Sequence, residues 1–123
     1  MKKVWVLFFL PLVLACNLEL PNNEGKIVIV NQTENEMAVI TDVWIHGEGS
    51  TEWVSRWAGA VEEGYDVSII VEPGSYDIRI RVNYLFYTRI YETGYKQPIA
   101  VGNKKVKYII FDGNGIYDSD ITQ

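Results

Sequence analysis

A single histidine, His46, bounds the acid–base and metal chemistry open to this chain. The carboxylate that shares its strand parity is Asp42, and four residues of extended chain span about 13 Å, too far for a hydrogen bond. There is no second histidine, no glycine-flanked serine of the nucleophile-elbow kind, and one cysteine, Cys16. No catalytic or metal role is therefore assigned to His46, which is read as an exposed strand residue, and the protein is not expected to be an enzyme. Asp112-Gly113-Asn114-Gly115-Ile116-Tyr117-Asp118-Ser119-Asp120 gathers oxygen ligands of the kind Ca²⁺ takes. The closing glutamate of an EF-hand is missing, and the same residues build turns and solvated chain ends. Neither a metal nor a cofactor is assigned.

Aromatic residues are the more suggestive signal. Tyr84, Phe86, Tyr87, Tyr91 and Tyr95 crowd one region. If Tyr84 and Phe86 belong to a core, strand alternation sends Tyr87, Arg89 and Tyr91 to the opposite, wet face, provided no bulge intervenes. Exposed tyrosine and arginine are frequent hot-spot residues of interfaces, and flat rings also stack on sugars. Trp53 and Trp57, spaced as one helical turn, are a second candidate pair. The alternative for both groups is structural: tyrosine is common in half-buried strands, and a tryptophan pair can seal a sandwich core.

What positions these residues begins with the N-terminus. Lys2 and Lys3 precede an apolar run from Val4 to Leu14, broken by Pro11, and Ala15 stands directly before Cys16. This is the layout of a secretory signal, too short for the roughly 20 residues that cross a bilayer. Asn17 to Gly25 is polar and rich in turn formers, as in a flexible tether. Val13-Leu14-Ala15-Cys16 resembles the lipobox of bacterial lipoproteins, with Leu14 where that family usually has a smaller residue, a relaxed form familiar from spirochaetes. The resemblance implies a diacylglyceryl thioether on Cys16, cleavage before it, and usually acylation of the freed amine. Two or more acyl chains anchor stably where one is marginal. The expected organisation is thus a signal over 1–15, a lipidated tether over 16–25 and one domain over 26–123, held at a membrane of the cell envelope.

The mature chain would keep nine basic against sixteen acidic side chains, net −7. Such a surface repels nucleic acid and anionic lipid alike, so no nucleic-acid partner is expected and attachment must come from the lipid.

Beyond the tether the pattern is strands and turns. Lys26 to Val30 is a continuous β-branched run, and alternation follows over 39–46, 65–72 and 76–86. Glu72-Pro73-Gly74-Ser75 predicts a type II turn and hence a hairpin. Tyr87 to Tyr91, Gln97 to Val101 and Lys105 to Phe111 are shorter strands, and Ser50 to Glu63 reads as a short helical or irregular segment that Thr51 could cap. The expectation is an all-β, single small antiparallel β-sandwich, immunoglobulin-like or prealbumin-like, of about seven strands. The stretch from Val67 to Val82, through Pro73-Gly74-Ser75-Tyr76-Asp77-Ile78-Arg79-Ile80, is similar to hairpins of immunoglobulin-like and prealbumin-like sandwiches, which carries no functional residues over. The function expected is a non-enzymatic envelope module that binds a protein or glycan through exposed aromatics. The alternative is a structural or accessory subunit of an envelope membrane complex.

Overall fold

The computed structural model describes residues 23–93 and 98–119; the expected signal, Cys16, Tyr95 and Asp120 lie outside the described residues. Among the described residues nine strands occur in chain order: β1 Gly25–Asn31, β2 Val39–Gly47, β3 Val54–Val61, β4 Asp66–Val71, β5 Gly74–Asn83, β6 Thr88–Glu92, β7 Ile99–Val101, β8 Val106–Phe111 and β9 Ile116–Asp118. They form two sheets, ordered β9-β8-β1-β4 and β3-β2-β5-β6, with β7 also paired to β5. This is a small β-sandwich, all-β as expected, with two strands more than the sequence suggested. Pairing is antiparallel except between β1 and β8, which run parallel with Lys26 opposite Val106 and Asn31 opposite Phe111.

The core lies between the sheets. Ile27 and Ile29 of β1, Val67, Ile69 and Val71 of β4, and Ile109 and Phe111 of β8 face Val43 and Ile45 of β2 and Ile78, Ile80 and Val82 of β5, all buried. Their period of two is the alternation read from the sequence, because successive strand side chains point to opposite sheet faces. In β2 the register shifts at Thr41, so Ile40 and Val43 both reach the core. An extra residue in one strand resets which face its neighbours see.

Three expectations are corrected. Ser50 to Glu63 forms no helix: Val54–Val61 is an edge strand paired with β2. The four-residue Trp53 to Trp57 spacing mimics a helical turn, but Arg56 is the extra residue of a register shift that sets Trp57 beside Val43 and Ser55 beside Trp44. The Pro73-Gly74 segment closes no hairpin, since β4 lies in one sheet and β5 in the other. Proline here turns the chain across the sandwich, and Gly74 lies in β5 without a positive φ. The predicted strand over 76–86 ends at Asn83. There Tyr84 N–H donates to the Tyr87 carbonyl at 2.7 Å and the chain reverses through Leu85 and Phe86.

The strand directions give the sandwich two ends. The chain enters at Asn23, whose N–H donates to Asn103 Oδ1 at 2.7 Å, and β5 starts at the same end, where Gly74 pairs with Val101. At the far end, about 30 Å along β5, lie the loops 32–38, 62–65, 84–87 and 112–115. Asn31 fastens this distal end. Its fully buried side chain donates Nδ2–H to the Ala38 and Val61 carbonyls at 2.8 and 3.0 Å and accepts at Oδ1 from Thr33 Oγ1 at 2.8 Å. Its backbone N–H reaches Tyr65 O and its carbonyl accepts from Gly64 N.

Candidate functional site

The residues singled out by sequence do not form one surface. Tyr91 is buried at 9% exposure, opposite Ile80 on the core side, with its ring 4.8 Å from Phe111. Phe86, whose place in a core was the condition for that reading, is 89% exposed, and Tyr87 is exposed at 56%. The cause is the reversal at Leu85 and Phe86. Cross-strand partners share a sheet face, so the face of Tyr91 is set by Ile80 and not by counting onward from Tyr84. Arg89 is exposed, with its guanidinium 5.6 Å from the centre of the Tyr91 ring.

The result is a braced aromatic finger. The Tyr84 and Tyr87 rings stack at 4.7 Å with an interplanar angle of 16°, and the Tyr84 and Tyr91 hydroxyls hydrogen-bond at 2.7 Å. Tyr91 is rooted in the core, so its hydroxyl holds Tyr84, Tyr84 supports Tyr87, and Leu85 and Phe86 project beyond them. Burial, then the hydrogen bond and charge of Tyr91, push the Tyr84 phenol well above its ordinary range. A raised acid pKa in the fold favours the neutral phenol. Its contribution is complete below the unfolded value of about 10 and is lost as pH climbs through the folded value. Stability measured by urea titration is expected to fall above about pH 10, and Tyr91→Phe to cost about 1 kcal/mol at neutral pH while shrinking that alkaline loss. An unchanged alkaline slope in Tyr91→Phe would refute the brace.

The outer face of the β3-β2-β5-β6 sheet carries the second group. Asp42, Trp44 and His46 on β2 stand opposite Arg81, Arg79 and Asp77 on β5. Arg81 pairs with Asp42 at 3.2 Å, Arg79 with Glu92 at 2.7 Å, and His46 Nδ1 approaches Asp77 Oδ2 at 3.4 Å. The Arg79 guanidinium lies 4.1 Å from the Trp53 ring centre and the His46 ring 5.1 Å, while Arg81 lies 5.4 Å from Trp44. Trp53 is thus engaged by cation–π and ring contacts within its own domain, which lock the loop before β3 to the sheet. Trp57 is half-buried against the core at the β3 edge. His46 is half-buried in this array and not fully exposed, and Asp42 serves Arg81.

A cleft of about 650 Å³ opens between the β3 and β4 edges and includes Arg56, Ile70, Glu72 and Tyr76 in its lining. Arg56 donates to the Ile70 carbonyl and the Tyr76 hydroxyl to the Glu72 carbonyl, so these side chains cap backbone acceptors. Burial and the Glu72 carboxylate raise the Tyr76 phenol and keep it a donor. Its lining holds two carboxylates, Glu24 and Glu72, and no serine, cysteine, histidine or lysine.

The Asp112 segment is a β8–β9 hairpin. Asp112 Oδ1 accepts from the Asn114 and Gly115 N–H groups at 2.8 and 3.1 Å, Gly113 takes a φ of 96°, and Asp118 pairs with Lys107 at 3.1 Å. Among the described residues no group of three or more His, Cys, Asp or Glu side chains is arranged to hold a metal ion.

The distal end is what sequence reasoning missed as a surface. Tyr65, Met37, Leu85, Phe86 and Tyr87 are all more than half exposed there, supplied by three separate loops. Long-range pairing alone brings those loops together; the signal within the sequence was the uninterrupted apolar run Tyr84 to Tyr87. The class is a small β-sandwich with a braced aromatic tip. Comparison with protein-family models, curated proteins and solved structures finds no match to this chain.

Proposed function

We propose that this protein is a lipoprotein of the bacterial cell envelope, tethered through acylated Cys16, that binds a protein ligand without catalysis. The observation that carries the reading is the placement of the braced tip, Leu85 to Tyr87, at the end of β5 farthest from Asn23, where the chain enters the domain. A tether at one end and rigid exposed aromatics at the other suit a module that reaches outward. Tyr87, held by its stack on Tyr84, loses little rotamer entropy on docking, which leaves more of the contact energy for binding. Protein is favoured over glycan because Trp53 is already stacked by Arg79 and His46.

Metabolic labelling with an alkyne fatty acid, followed by photo-crosslinking from position 86 in intact cells, tests both halves. The expected result is label on the native chain, none on Cys16→Ala, and a discrete adduct that depends on Tyr87. Wild-type protein recovered unlabelled and free in the soluble fraction would remove the anchor. Labelled protein with no tip adduct would remove the binding role and leave an accessory, purely structural subunit.

A further inference from the structure

The apolar distal patch has an acidic surround. The loops 32–38, 62–65, 84–87 and 112–115 contain Glu34, Glu36, Glu62, Glu63 and Asp112 and no lysine or arginine. Glu36, Glu62 and Glu63 line one depression of about 290 Å³, and Glu62 is shared with an adjoining cleft of about 300 Å³ beside Tyr65 and Val61. None of these glutamates has an ion-pair partner among the described residues, whereas carboxylates of the outer sheet face, Asp42 and Glu92, are matched by arginines. The tip hairpin stands two strand positions from the end of β3, about 10 Å away, with the Met37 loop leading into the strand between them. The apolar tip and the acidic depression therefore stand about 10 Å apart, within the reach of a single polypeptide segment.

Resting on the binding role above, we infer that the distal end docks a cationic, amphipathic polypeptide segment. Its apolar side chains pack on Phe86, Tyr87 and Tyr65, and its lysines or arginines enter the Glu36, Glu62 and Glu63 depression. Like charges held together without counterions repel one another in the free protein, so a basic partner relieves that repulsion and gains attraction in the same step. An anionic membrane surface is disfavoured by the same carboxylates.

The test uses the full chain in non-ionic detergent, with empty micelles as the blank, and three labelled synthetic peptides read by fluorescence anisotropy. One alternates leucine and lysine on helical faces, one replaces lysine by glutamate, and one replaces leucine by serine. The leucine–lysine peptide is expected to bind best, to weaken about tenfold with Phe86→Ser, and to lose affinity and salt dependence with the pair Glu62→Gln and Glu63→Gln. Phe86 and Glu62 are exposed and Glu63 is half-buried, all three on loops, and circular dichroism checks the fold of both variants. Equal binding of the leucine–lysine and leucine–glutamate peptides through Phe86 would overturn the charge inference and leave the binding role standing. Equal binding of the serine–lysine peptide, untouched by Phe86→Ser, would reduce the effect to generic attraction and overturn it as well. Preferential capture of phosphatidylcholine vesicles by the tip would replace the polypeptide with a lipid surface.

Discussion

Asn31→Asp is expected to destabilise the domain by about 3–4 kcal/mol, with a fall in Tm on the order of 15 °C or more, although the two side chains are isosteric. Asparagine supplies two N–H groups to the Ala38 and Val61 carbonyls from a site with no solvent exposure. Aspartate turns that face into an acceptor opposed to two acceptors. It must either ionise without a cation or take up a proton and satisfy one carbonyl of the two. Both the β1–β2 and the β3–β4 loops lose their fastening. The folded-state pKa of the new carboxyl would lie above the unfolded value of about 3.9, so the penalty is largest at neutral pH and shrinks as pH falls through the folded value. Urea titrations at pH 7 and pH 5 read this directly. A variant within 1 kcal/mol of the parent would deny Asn31 its role.

Phe111→Ala is expected to cost about 3–5 kcal/mol, a large part of the 5–15 kcal/mol that holds a domain of this size together. Phe111 is fully buried at the end of β8, pairs with Asn31 on one side and Ile116 on the other, and packs its ring on Tyr91. Truncation leaves a void between the sheets and withdraws support from the Tyr91 hydroxyl that holds Tyr84. Phe111→Leu, which keeps most of the volume, should cost about 1.5 kcal/mol or less. Chemical denaturation gives the size of each effect, and near-ultraviolet circular dichroism reports whether the tyrosine finger loosens with it. Equal costs for alanine and leucine would mean that ring packing is not what Phe111 contributes.

Parts of this architecture can be read directly from residue order. Val67, Ile69 and Val71, then Ile78, Ile80 and Val82, alternate with polar neighbours and all reach the core. The unbroken Ile27 to Ile29 run marks a strand covered on both faces, and Val28 is buried along with its two neighbours. Strand β3 was illegible because an edge strand with most residues exposed has no alternation to detect, and its one shifted residue brings the tryptophan spacing close to a helical repeat. Proline and glycine at 73 and 74 announce a change of direction, but not whether the chain returns in the same sheet; distant pairing decides that. Tyr91 was misplaced because a two-residue reversal resets parity, and four consecutive apolar residues gave no hint of where it falls. Asn31 offered no signal at all, since an asparagine after a strand looks like any turn former until its carbonyl partners are known.

The parallel β1–β8 pairing has a kinetic corollary. Strand β1, the first among the described residues, sits centrally in its sheet, yet one of its two neighbours arrives about 80 residues later. Contacts so distant in sequence make for high contact order and slow, late-committing folding. A chain built this way stays pliable until nearly all of it is present, so no early fragment of it can settle into the final sheet.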